Sequence, residues 1–343
     1  MLTNKQISEI KEHLEKAQNP LFFFDNDADG LCSFLLLARA YNKGKGVPIK
    51  SFPELNESYV RKLYELNPDY IFILDKPLVS KQFIKEAQNM NIPIVWIDHH
   101  QIDHINAEGV YYYNPAKNQK KSFEPVTYLA WKATEKKKDM WLAVSGCIGD
   151  NFLPEFYEDF RKQNPDLCKK VKTAFEVVYE TGIGKIARIM NFALKDRTSN
   201  VIKMIKYLLK LENPREILVE SPKNRLLFRF NQINRRYQKL IEKAKKFSRK
   251  KILYFQYGGS LSLSGEIANE LSYRFPNKLI VVAYIKGAKA NISIRGKNAK
   301  KITLNALKNL ENATGGGHEE ATGAKISVED LPKFKEIIEK SIE

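Results

Sequence analysis

Four short apolar runs in the first half of the chain, residues 21–24, 71–74, 94–97 and 144–149, each end on an acid: Asp25, Asp75, Asp98 and Asp150. Runs of this length without polar interruption predict strands buried on both faces of a parallel sheet. Strand-like and helix-like segments alternate over residues 19–150, which is the pattern of a doubly wound α/β domain. Residues 1–18 predict an amphipathic helix, with Ile7, Ile10, Leu14 and Ala17 on one face and Thr3 as its N-cap. Residues 31–41 are apolar almost all round, so the helix they predict is buried. From 151 to about 250 no strand-like run occurs, and several helices extend the first domain. A second, smaller α/β unit begins near 251, with strands over 252–257, 279–285 and 290–295 and helices over 265–275, 303–310 and 328–342. The chain thus divides into residues 1–233 (mainly helical from 151), a connector helix over 234–251, and an α/β domain over 252–343.

The ends of the first-half runs carry the chemistry. Asp25, Asp27 and Asp29 fall within five residues in Asp25-Asn26-Asp27-Ala28-Asp29-Gly30, and Asp98-His99-His100 follows the run at 94–97. Open α/β sheets bind their ligands at the carboxyl ends of strands, and all of these groups fall there. A single Asp in such a place ordinarily forms a turn or caps a helix, which suffices for Asp75 or Asp150 taken alone. It does not suffice for three acids in five residues, nor for His99, His100 and His104 in six when the chain has only 5 histidines. Converging carboxylates repel one another unless cations neutralise them, so a metal site is the natural explanation.

With Ser293-Ile294-Arg295-Gly296 and Gly315-Gly316-Gly317-His318, these motifs stand in an order that resembles the DHH phosphoesterase superfamily, in its branch with a DHHA1 C-terminal domain. The resemblance spans roughly residues 20–325 and is greatest to RecJ-like single-strand exonucleases of the compact archaeal type. It implies a doubly wound parallel-sheet DHH domain with a helical extension, joined by a helical connector to a smaller α/β DHHA1 domain. It also implies two divalent cations, Mn²⁺ before Mg²⁺, since mixed imidazole and carboxylate ligands suit a transition ion. By resemblance Asp27 and Asp75 hold one ion, while Asp29, Asp75, His99 and Asp150 hold the other, with Asp75 bridging. Asp25 completes the first ion's shell directly or through water, and small-molecule relatives carry a His where Phe23 stands here. His100 is implied to contact the scissile phosphate and Asp98 to orient the histidines; His104 either joins that shell or is a surface residue. Arg295 and His318 are implied to clamp a phosphate, helped by main-chain N–H groups of Gly315, Gly316 and Gly317 and by the polar Asn269.

Composition narrows the substrate. Lys+Arg total 57 against Asp+Glu 40, a net charge of +17, which suits a polyanion despite the acidic centre. Residues 234–251 hold nine basic residues against one acid, among them Arg235, Arg236, Lys239, Lys243 and Lys246. This stretch is either a solvated interdomain helix or a basic wall tracking a single strand, and residues 185–215, with eight basic residues and two acids, extend such a path. The expected partners are single-stranded DNA or RNA and, by resemblance, replisome proteins such as GINS. Two other classes stay open: an enzyme for short oligoribonucleotides, cyclic dinucleotides or a nucleotide 3′-phosphate, and a replication scaffold. The 3 cysteines include no CxxC pair, no signal-peptide pattern is evident and no stretch spans a bilayer, so the expected compartment is the reducing cytoplasm.

Overall fold

The computed structural model describes residues 1–343 apart from Phe52, residues 102–105, Lys223, residues 249–250, Asn309 and Glu343. His104 and two basic residues of the connector therefore lie outside the described residues. Packing divides the chain into Met1–Phe230 and Asn231–Glu343.

The strands of the first unit are β1 (Pro20–Asp25), β2 (Lys45–Ile49), β3 (Glu54–Leu55), β4 (Tyr70–Leu74), β5 (Leu78–Val79), β6 (Ile94–Ile97) and β7 (Val110–Tyr113). Its helices are α1 (Asn4–Lys16), α2 (Ala28–Tyr41), α3 (Arg61–Leu66), α4 (Lys81–Asn89), α5 (Val126–Thr134), α6 (Met140–Gly149), α7 (Tyr157–Gln163), α8 (Ala174–Glu180), α9 (Gly182–Ala193) and α10 (Thr198–Leu208). Thr3 caps α1 in a reciprocal capping box with Gln6, as its sequence predicts. Five strands form a sheet in the order β2-β1-β4-β6-β7, parallel throughout. On one face Leu21, Phe23, Ile71, Ile73, Ile94 and Trp96 share a core with Phe83 and Ile84 of α4. On the other, α2 stacks Phe34 against Phe24 at 5.1 Å. The order reverses direction between β1 and β4, a topological switch point of the kind that opens a ligand crevice.

One predicted strand is a helix. The run at 144–149 belongs to α6, and Asp150 follows a helix C-terminus rather than a strand. Residues Met140 to Ile148 are all buried, because α6 packs against α2, α5 and α9. With no solvent face, its sequence lacks the polar positions that mark a 3.6-residue period, and a short apolar run then reads equally as strand.

Helix α11 (Arg225–Lys245) carries the chain from the first unit into the second, beginning nine residues before the predicted connector and ending six before its close. The second unit holds β8 (Ile252–Gly258), α12 (Ser264–Arg274), β9 (Leu279–Lys286), β10 (Lys289–Arg295), α13 (Ala299–Leu307), β11 (Thr314–His318), β12 (Ala321–Ser327) and α14 (Leu331–Lys340). Its sheet runs β11-β12-β10-β9-β8, with β8 parallel to β9 and the other pairs antiparallel. Val281, Ile292, Ile294, Ile326, Phe334 and Ile338 make its core. Strands β11 and β12 are absent from the sequence expectation, and the glycine run lies on the edge strand β11.

Candidate metal centre

Register assembles the centre. Phe24 pairs with Leu74, and Leu74 with Ile97, so the next residues along β1, β4 and β6 are Asp25, Asp75 and Asp98, side by side at the switch point. Asp75 leaves its strand with φ 57, a left-handed conformation that Asp tolerates better than most residues. Its amide donates to the Ile97 carbonyl at 3.0 Å, which ties this turn to β6. Asp27 and Asp29 come from the start of α2. Asp27 is its N-cap, accepting from Gly30 N–H at 2.9 Å. A Cβ on Gly30 would lie 2.4 Å from the Asp25 carbonyl oxygen, so glycine is required for the helix to start this close to β1. Asp29 also caps α5, since its oxygens accept Val126 N–H at 2.8 Å and Thr127 N–H at 2.7 Å. A carboxylate has about four lone-pair sites, so these two bonds leave it able to ligate.

The structure brings the predicted ligands into two overlapping groups. Ligand atoms of Asp25, Asp27 and Asp75 lie within 4.8 Å of one another, and so do those of Asp29, Asp75 and His99. Asp75 belongs to both. His99 Nε2 lies 3.3 Å from Asp75 Oδ1 and 3.7 Å from Asp150 Oδ2, which brings Asp150 to the second group from the end of α6. Asp98 is buried and meets the other histidine, with its Oδ1 2.7 Å from His100 Nδ1. Tyr112 Oη and Asn114 Nδ2 donate to Asp98 Oδ2 at 3.0 and 3.3 Å. Sequence reasoning missed both; their alternation along β7 and the turn after it was the available signal.

The electrostatics fit divalent cations. Burial pushes the Asp27 carboxyl up to about 8, with the charges of Asp25 and Asp29 adding to the shift. Burial and then Asp150 raise Asp29 to about 6, against the opposing pull of His99. Asp75 is raised by burial and then by Asp29 and Asp27. Burial alone would lower His99, but the bond to Asp75 and the charge of Asp150 outweigh it and hold the imidazole above its usual range. Asp75 Oδ1 is buried without a hydrogen-bond partner of good geometry. An arrangement that raises Asp27, Asp29 and Asp75 together is unstable as a set of anions, and hard cations relieve it.

Two family models match the chain: "DHH family, N-terminal domain" over residues 21–147 and "DHHA1 domain" over residues 249–343. The chain belongs to the DHH family. Comparison with curated proteins returned no match. Among solved structures it resembles RecJ of Thermus thermophilus in complex with Mn²⁺, with TM-score 0.69, 17% identity, and coverage of 98% of this chain and 54% of that one. The chain therefore spans about half the length of that relative. It also resembles an exonuclease RecJ bound to manganese (TM-score 0.63, 17% identity, 100% and 95% coverage). A third likeness is to CDC45 from Entamoeba histolytica (TM-score 0.53, 9% identity, 98% and 99% coverage). At these identities the likeness shows a shared fold.

Within the DHHA1 domain, Arg295 ends β10, and its Nε donates to Asn269 Oδ1 of α12 at 2.6 Å. Arg295 and His318 both pair with Ala321, from opposite sides of β12, which sets them at one end of the sheet in matched register. Gly315, Gly316 and Gly317 run along edge strand β11, and only Gly317 of the three has positive φ, at 137. A Cβ there would lie 2.4 Å from the Ala321 carbonyl oxygen, so close approach to β12 explains this glycine. On α11, Leu226, Leu227, Phe230, Ile233, Tyr237, Ile241 and Ala244 are buried. Arg235, Arg236, Lys239, Lys243 and Lys246 are all exposed. Phe247, just beyond the end of α11, is 57% exposed. In the stretch 185–215, Arg215 is engaged by Asp166 through two short bonds of 2.7 Å.

Proposed function

We propose that this DHH-family protein is a metal-dependent phosphodiesterase that removes nucleoside monophosphates from single-stranded DNA or RNA. The observation that carries the reading is the register of β1, β4 and β6, which sets Asp75 between two groups of ligand atoms sharing it. Asp27 and Asp75 would hold one divalent ion, with Asp25 alongside, and Asp29, Asp75, His99 and Asp150 the other. Two such ions, Mn²⁺ or Mg²⁺, supply an activated water near neutral pH and neutralise charge on the phosphoryl oxygens. The remaining steps belong to the chain. Asp98 fixes the His100 ring through Nδ1, so that Nε2 is the atom presented to substrate. Arg295, aligned by Asn269, offers its guanidinium fork to a phosphate, with His318 in matched register on the far side of β12.

A polymer substrate is favoured by the charge of +17 and by the exposed basic stripe on α11. Catalysis is favoured over a scaffold role because every proposed ligand position carries a group able to bind a metal. Association with replisome proteins such as GINS remains part of this proposal through the fold shared with CDC45. No described helix is long and apolar enough to cross a membrane. The test is digestion of end-labelled single-stranded DNA and RNA with Mn²⁺, with products resolved by length from each end. Stepwise release of mononucleotides is expected; cleavage confined to dinucleotides would replace the polymer reading with that of a small-substrate enzyme.

A further inference from the structure

Directly after the shared acid Asp75 stands a lysine whose side chain is fully buried, at 0% exposure. Lys76 Nζ lies 2.8 Å from Asp25 Oδ1 and donates to the Ser51 carbonyl at 2.8 Å. Its own carbonyl accepts from Trp96 Nε1 at 2.7 Å, which fixes the backbone from which the ammonium projects. The same Asp25 Oδ1 also accepts Asn26 N–H at 2.9 Å. An ammonium group taken out of water costs several kcal/mol and recovers this only through close, well-satisfied partners. A neutral apolar residue would fill the space at less cost, so packing does not explain a lysine here.

Charge does. Asp25, Asp27 and Asp75 place three carboxylates with ligand atoms within 4.8 Å, a formal −3. Adding Lys76 leaves −2, the charge that one divalent ion balances. We propose that Lys76 is a fixed internal cation of the metal centre: it takes Asp25 out of the ligand set and sets the charge that the first ion meets. Asp25 then acts as the partner that holds Lys76, and Asp27 and Asp75 are the protein ligands of that ion. The inference rests on the reading of this site as a metal centre and deepens it, making Lys76 a positioning residue.

Two variants of the full chain test it, with Mn²⁺ binding followed by calorimetry after chelator treatment and by thermal melting. In K76M the pocket reverts to −3. The metal-free protein should melt lower than wild type, yet bind Mn²⁺ about tenfold more tightly, because a neighbouring positive charge is gone. A lysine serving only as a structural pillar gives the opposite sign in binding: loss of stability together with weaker affinity. The double variant D25N/K76M restores −2 with neutral groups, an exchange that buried ion pairs often tolerate. It should bind Mn²⁺ within about threefold of wild type and carries the test if K76M does not fold. Unchanged or weaker binding by K76M, or a loss beyond about tenfold in D25N/K76M, overturns the assignment, the latter by showing Asp25 to be a ligand. Wild-type protein that bound no Mn²⁺ would overturn the metal centre itself.

Discussion

Removing metal while raising pH from 5 to 7 should destabilise the protein, and the pKa shifts set the sign. The Asp27 carboxyl ionises near 3.8 in the unfolded chain and near 8 in the fold. Between those values the unfolded chain binds fewer protons, so stability falls as pH rises. Asp29 behaves alike over the narrower window from 3.8 to about 6. His99 is raised above 6.5, so its contribution is full below 6.5 and is lost as pH climbs through the folded value. All three groups act in one direction. Each fully offset proton is worth about 1.4 kcal/mol per pH unit. Asp27 acts over both units of this interval and Asp29 over about one, giving roughly 4 kcal/mol, which the partial exposure of Asp27 reduces to about 2–3 kcal/mol. For a domain of this size that is a fall in melting temperature of roughly 5–10 °C.

Bound Mn²⁺ replaces those protons, and the trend should flatten or reverse. Calorimetry should detect release of about one or two protons per protein at pH 7, read by repeating the titration in buffers of different ionisation enthalpy. Differential scanning across pH 5 to 7, with chelator and with saturating Mn²⁺, provides the assay. The difference in melting temperature between the two conditions is the quantity of interest, since it cancels titrations elsewhere in the chain. A difference that stays constant or shrinks as pH rises would refute the assignment of these acids to one cation-binding cluster.

Other perturbations separate the roles. D75N should lower turnover by about a thousandfold or more, because an amide cannot serve two cations as a carboxylate does; near-normal activity in it rules out a shared ligand. D98N should keep Mn²⁺ affinity within about tenfold while kcat falls by about 10–100-fold, as the His100 ring loses its anchor. R295A and H318A should leave Mn²⁺ titrations unchanged yet slow cleavage by about a hundredfold, and loss of metal in either would break the proposed division of labour. Reversing Lys239, Lys243 and Lys246 to Glu should weaken long oligonucleotides and spare dinucleotides, with the salt slope shallower by about 0.7 for each phosphate no longer bound; equal effects on both lengths remove α11 from the strand's path.

The centre was legible where chemistry and periodicity coincide. Strands buried on both faces announce themselves as apolar runs, and the acids at their ends could be placed on one sheet edge without coordinates. The register that makes Asp25, Asp75 and Asp98 neighbours is a consequence of those runs all ending on the acid. Helix α6 was hidden because burial removed its polar face, and β11 because glycine carries no side chain from which a two-residue period can be read. Asp29 shows a subtler limit. Its motif marks it as a ligand, but the bonds to Val126 and Thr127 N–H join residues almost a hundred positions apart, and no local pattern encodes them.

Lys76 marks the same limit from the other side. A lysine after an acid at a strand end is ordinarily a surface residue, and composition counts it toward the basic excess. Burial changes its meaning: an exposed ammonium is screened within about 10 Å, whereas one enclosed beside Asp25 acts on the neighbouring carboxylates with little solvent between. The net charge of the chain therefore says where a polyanion gathers, and the few buried charges say what the centre binds. Of the two, only the first can be counted from sequence. The second depends on Ser51, Trp96 and Asp25 converging on one lysine from three separate strands and turns.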